Sequence, residues 1–151
     1  MLPFDRLIQA MDEWAARHPR EEVFAQIGEG QYTPRHMPFA RMLSPADFNS
    51  HMATCELPVA HAGTGSMIAA AELSKPIVLL ARLAHLREHT TDHQVHTAQW
   101  LAERPGVFVA PSEKALGEMI EHARALVHRG AALSATASPI FIEKIRTALV
   151  S

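Results

Sequence analysis

Four consecutive apolar residues, Ile77, Val78, Leu79 and Leu80, directly follow Lys75-Pro76. A run this short, bounded by a proline and lacking polar alternation, predicts a strand buried on both faces. Such a strand belongs inside a parallel sheet, whose neighbouring strands need long crossover connections, usually helices. The chain supplies both. Further strands are predicted over residues 22–27, 57–60 and 107–109, with a short one over 39–42 inside the irregular, proline-containing stretch 31–45. Phe4, Leu7, Ile8, Met11 and Trp14 recur at helical spacing, predicting a first helix from Pro3 that ends at His18-Pro19. Other helices are predicted from Ser44-Pro45 to residue 55, over 66–73, from Thr90 or Thr91 to 103, and from Ser112 to Gly130. Strands alternating with helices predict an α/β fold, a Rossmann-like parallel sheet with helices on both faces.

Composition narrows the function classes. At 151 residues the chain has the size of one domain and is too short for a self-contained two-domain enzyme. Hydrophobic residues at 48% and charged residues at 20% are ordinary for a folded domain and argue against disorder. Fourteen basic against sixteen acidic residues leave no basic footprint for nucleic acid. Cys55 is the single cysteine and has no internal disulfide partner, so a reducing, cytoplasmic setting is expected. Asp5, Arg6, Asp12 and Glu13 interrupt the N-terminal segment, which does not read as a signal peptide. The apolar run 77–81 is far shorter than the roughly 20 residues of a membrane span, so no direct span is expected.

In parallel sheets ligands sit outside the carboxyl ends of the strands. The loops there are Gly28-Glu29-Gly30, residues 61–66, residues 81–90 and Ala110-Pro111-Ser112. In His61-Ala62-Gly63-Thr64-Gly65-Ser66, strand, turn and helix follow one another. Its two glycines allow close backbone approach, and the N–H groups opening the helix suit a phosphate or diphosphate, with Thr64 and Ser66 hydroxyls as further donors. A tight turn using glycine for positive φ explains the same spacing. The segment is not a P-loop, lacking Gly-Lys-Ser/Thr, and lacks the full GxGxxG dinucleotide pattern.

Residues 81–94 concentrate Arg82, Glu88, His89, Asp92, His93 and Gln94. An arginine suits a phosphate, while acid, imidazole and amide groups suit sugar hydroxyls. A solvated polar loop accounts for the same residue types. The ten histidines of the chain raise a metal site as a competitor, because His85, His89, His93 and His96 are spaced four, four and three apart. The helix start at Thr90-Thr91 separates them, however, and no intact signature such as HExxH occurs. The expected metal is none.

HAGTGS, Lys75-Pro76 before an apolar strand, Arg82, Glu88-His89 and Asp92-His93-Gln94 together resemble the C-terminal domain of glycosyltransferase family 28. The chain is most similar to the small single-domain subunits of bacterial exopolysaccharide and capsule glycosyltransferases. Those are related to the soluble subunit of the dolichol-linked N-acetylglucosaminyltransferase. Pro3-Phe4-Asp5-Arg6-Leu7 looks like that family's first helix and Gln26-Ile27-Gly28 like its second strand, so the likeness covers residues 3–130.

The resemblance implies one half of a GT-B enzyme that binds a UDP-sugar donor and needs no cofactor. A membrane-associated partner chain then supplies the acceptor-binding domain and the general base, so no catalytic residue is assigned to this chain. Attachment at the inner membrane, if any, is peripheral and through that partner. By carry-over Gly63, Thr64, Gly65 and Ser66 face the donor diphosphate. His93 and Gln94 match the segment that contacts the donor sugar; Arg82, Glu88 and His89 line the same cleft, together with Gly28 and His61.

The chain departs from the family pattern in three ways. Relatives carry a strand and a Gly-Thr turn before Pro-Phe-Asp-Arg, whereas this chain opens with Met1-Leu2, so the sheet is expected to lack its first strand. Ala69 replaces a glutamate that several relatives use for the ribose, with Glu72 one turn later as a substitute. Ala81 stands where a proline commonly precedes the arginine. The first two departures favour an alternative, a non-catalytic helper that stabilises or stimulates a partner glycosyltransferase. After a small-residue linker over 131–138, a final amphipathic helix over 139–150 presents Ile140, Phe141, Ile145, Ala148 and Leu149, for packing on the sheet or docking to the partner.

Overall fold

The computed structural model describes residues 2–128 together with Glu143 and Thr147. The linker and final helix expected beyond residue 130 lie outside the described residues apart from those two positions.

The chain is an α/β protein with short parallel sheets and several helices. Helix α1 (Asp5–Arg17) starts two residues after Pro3, because the buried Phe4 keeps a non-helical φ of −136°. Asp5 in its first turn and Arg17 in its last complement the helix dipole. Strands β1 (Ala25–Gln26) and β2 (Phe39–Ala40) pair in parallel as a two-stranded sheet. Both are shorter than expected. Pro38 stands directly before β2 and brings no N–H to a ladder, although its carbonyl accepts from Ala25 N–H at 3.1 Å.

The segment between β1 and β2 contains no helix, and two carboxylates of α1 hold its backbone donors. Asp5 accepts the N–H groups of Gln31 and Tyr32, each at 3.2 Å. Asp12, 1% exposed, accepts the Tyr32 hydroxyl at 2.7 Å, His36 N–H at 2.8 Å and Arg35 N–H at 3.0 Å. Burial pushes the Asp12 carboxyl up, but the Tyr32 hydroxyl and the two amides outweigh burial and hold it below the usual carboxylate range.

After α2 (Pro45–Thr54), capped by the Ser44 hydroxyl accepting Asp47 N–H at 3.1 Å, comes the main sheet. Strands β3 (Val59–His61), β4 (Ile77–Leu80) and β5 (Val107–Ala110) run parallel in the order β3-β4-β5. Helices α3 (Thr64–Glu72) and α4 (His93–Leu101) are the crossovers, and α5 (Leu116–His128) follows β5. All four residues of β4 are buried, as the apolar run requires. Ile77 and Leu79 pack with Met52 of α2, Met67 and Ala70 of α3, and Ala98 and Leu101 of α4. Val78 and Leu80 face the other way, against Phe4, Leu7 and Trp14 at α1 and Leu116 and Ile120 of α5. Helices therefore cover both faces of this sheet.

Helix α1 also covers the small sheet, with Ile8 and Ala15 against Ala25, Ile27 and Met37. The sheet expected to be continuous is divided into two, and α1 is the element they share. Two other boundaries shift in ways that matter for the site. His61 belongs to β3, and α3 begins at Thr64, so Gly65 and Ser66 lie in its first turn. Among the described residues no helix is long and apolar enough to cross a membrane.

Candidate functional site at the carboxyl ends of the main sheet

His61 ends β3, and Gly63 caps α3 three residues before Ser66. Gly63 has φ −107°, which any residue adopts, so positive φ does not explain this glycine. The His61 ring does. A Cβ on Gly63 would lie 2.1 Å from His61 Cε1 and 2.5 Å from Nδ1, so the imidazole packs directly against the turn. At Gly65 a Cβ would meet nothing within 4 Å, which leaves open space over the first turn of α3. No side chain caps that helix start and no acidic residue stands in its first turn. Its N–H groups carry the positive end of the helix dipole at the carboxyl end of a parallel strand.

Gln94, on the first turn of α4 and 5% exposed, links this turn to the next loop. Its Oε1 accepts Arg82 N–H at 3.2 Å and its Nε2 meets His61 Nδ1 at 3.0 Å. Burial first, and then the Arg82 cation and His89, together bring the His61 pKa down to about 4.

Arg82 is also 5% exposed, beside the ring of Phe4 at 5.1 Å. One terminal nitrogen donates to Leu2 O at 2.9 Å and Glu88 O at 3.0 Å. Its Nε is buried with no hydrogen-bond partner. Burial pushes this guanidinium's pKa down and Glu88 only partly restores it. Glu88, 6% exposed, is taken by Arg6: Nε to Oε1 and Nη2 to Oε2, both at 2.9 Å, with Leu83 N–H also on Oε2 at 2.9 Å. Arg6 further donates to Ala81 O at 2.8 Å and to Glu113 at 3.0 Å. The hydrogen bond with Glu88 holds the Arg6 pKa above its usual value despite burial. At Glu113, a bond from its own backbone N–H and then Arg6 lower the carboxyl pKa.

Three further hydrogen bonds order the loop between β4 and the start of α4. Asp92 accepts Ala84 N–H at 3.0 Å, His89 Nδ1 accepts Thr91 N–H at 3.2 Å, and the Thr91 hydroxyl accepts His93 N–H at 3.2 Å. These bonds start α4 at His93 rather than at Thr90 or Thr91.

The sequence-predicted residues thus divide by burial. His61, Gly63, Arg82, Glu88, His89 and Gln94 are linked by contacts or electrostatic reach into one constellation, with Gly65 and Ser66 on the adjoining helix turn and His93 opening α4. Within it Arg82, Glu88 and Gln94 are buried supports. Gly65 is exposed, and His61, Ser66, His89 and His93 are half-buried. Two predicted residues stand elsewhere along the elements. Gly28, with φ 58°, turns the chain after β1 and is fastened to Arg41 by an N–H to carbonyl bond of 2.8 Å. Glu72 is the last residue of α3, about 12 Å along the axis from Thr64 at 1.5 Å per residue.

Asp5 and Arg6 were read in the sequence only as part of the first helix and not as site residues, yet together they join the turn after β1, the loop after β4 and the segment after β5. An arginine and an aspartate in a first helical turn are ordinary, so only their long-range partners distinguish them. Among the described residues no group of three His, Cys, Asp or Glu side chains converges as for a metal ion. No protein-family model and no curated protein matches this sequence.

Proposed function

We propose that the domain binds a nucleotide-sugar donor, a UDP-sugar, by its diphosphate, and is the donor-binding subunit of a two-chain glycosyltransferase resembling the family 28 C-terminal half. The observation that carries this reading is the uncapped start of α3 directly behind β3, with open space over Gly65 and the cation of Arg82 within electrostatic reach of His61. Diphosphate oxygens accept the free N–H groups of α3, and these stabilise the nucleoside diphosphate as it leaves the anomeric carbon. The half-buried His61, His89 and His93 line the approach. Hexose transfer to a lipid-linked or polysaccharide acceptor then needs a base and an acceptor site from a membrane-associated partner chain, placing the work on the cytoplasmic side.

Calorimetry with UDP-sugars tests this. Saturable binding in the micromolar range that Gly65→Asp abolishes supports it, because an acid there repels the diphosphate and its Cβ has open space. Absence of binding at millimolar UDP-sugar ends it. One observation favours a second reading, a helper subunit without donor binding: both ends of the Gln94 amide, the expected sugar contact, are used inside the chain. Co-purification with a partner transferase despite no nucleotide binding selects that reading.

A further inference from the structure

We propose that Gln94 is a positioning residue that locks the His61 imidazole in the neutral tautomer protonated on Nε2, so that the glycine turn carries a ring N–H donor. The assignment follows from which groups can only donate. The backbone N–H of Arg82 is a donor, so the Gln94 atom 3.2 Å from it is the amide oxygen. The other end of the amide is then an NH2 group, which also only donates, and it meets His61 Nδ1 at 3.0 Å. Nδ1 must accept and carries no proton, and the proton of the neutral ring therefore sits on Nε2.

Charging the ring would set two donors against each other inside a nearly closed contact, since Gln94 is 5% exposed and cannot turn away without losing Arg82 N–H. The titratable groups acting on His61 are the Arg82 guanidinium and His89, and both oppose an imidazolium; burial acts in the same direction. The ring also packs closely on Gly63, with Cε1 and Nδ1 so near that a Cβ there has no room. What the N–H serves rests on the donor reading: it is one more neutral donor beside the α3 amides for an anionic oxygen. The lock itself rests on the hydrogen bonds alone.

Nitrogen-15 NMR of the imidazole rings reads the tautomer directly, with the His61 signals identified by their loss in His61→Phe. In the full unliganded chain the expected pattern is a bare Nδ1 and a protonated Nε2, unchanged from pH 8 to pH 5. In Gln94→Glu the carboxylate accepts from Nδ1 instead. The neutral ring then inverts to the Nδ1–H form, and the ring pKa rises by roughly one to three units. UDP binding to Gln94→Glu consequently weakens several-fold from pH 6 to pH 8 relative to the wild type, as Nε2 loses its proton. A protonated Nδ1 in the neutral wild-type ring overturns the proposal even if the variant does not fold. An unchanged tautomer and titration in a folded Gln94→Glu overturn it as well. If the wild type shows the stated tautomer and UDP does not bind, the donor reading falls while the lock stands.

Discussion

Replacing Gly63 by alanine tests the central geometry without touching any hydrogen-bonding group. With φ −107° alanine has no backbone penalty, so the cost comes from the His61 ring, 2.1 Å from the new Cβ. The ring must rotate off the turn and release Gln94 Nε2, 3.0 Å away. Gln94 is 5% exposed, so its amide nitrogen is left buried and unpaired, at a cost of about 1–3 kcal/mol. The weaker capping preference of alanine, about 0.5–1 kcal/mol, is offset by a comparable loss of unfolded-state entropy. Gly63→Ala is therefore expected to lose about 2 kcal/mol in urea unfolding. His61→Ala removes the same contact and should lose about as much by the same estimate. In the double variant the second change has nothing left to break, so the total stays near that of either single variant, with a coupling of about 2 kcal/mol. Additive single losses, or a Gly63→Ala protein as stable as the wild type, would refute the account of why residue 63 is glycine.

Other changes have distinct signatures. Gly65→Ala places its Cβ in open space inside α3, so stability holds or rises by up to about 1 kcal/mol while calorimetry shows weaker UDP binding. Arg6→Leu leaves Glu88, 6% exposed, without its bidentate partner and should cost about 3 kcal/mol by urea unfolding; adding Glu88→Gln recovers part of it. His61 has a folded pKa of about 4 against 6.5 unfolded, so between those values the unfolded chain binds more protons. Its contribution to stability is complete above pH 6.5 and is lost as pH falls toward 4, by up to about 3 kcal/mol, and this part of the pH dependence vanishes in His61→Phe. Asp12→Asn replaces an acceptor of three donors by a group with one oxygen, and unfolding in urea should register a loss of about 2 kcal/mol.

The β4 strand was legible because four apolar residues after a proline have one stable setting, between two layers of helices. Helix α1 was legible from its apolar spacing, and the glycine turn from its place after a strand. The division of the sheet was not, because it depends on how few residues of the β1 and β2 segments find partners, which local pattern does not encode. Gln94 illustrates the limit within the site. Its residue type suits a sugar hydroxyl as well as it suits His61, and only the position of α4 against the β4 loop sends both ends of the amide inward. Arg6 likewise reads as an ordinary surface cation until its partners at Ala81, Glu88 and Glu113 are known.

The central claim is that the free N–H groups opening α3 hold a diphosphate. Amide-resolved NMR titration with UDP tests it most directly, with uridine as the control. Saturable shifts largest over residues 63–66, produced by UDP and not by uridine, are the predicted result. Shifts that fail to appear at millimolar UDP, or that uridine reproduces, would contradict the claim.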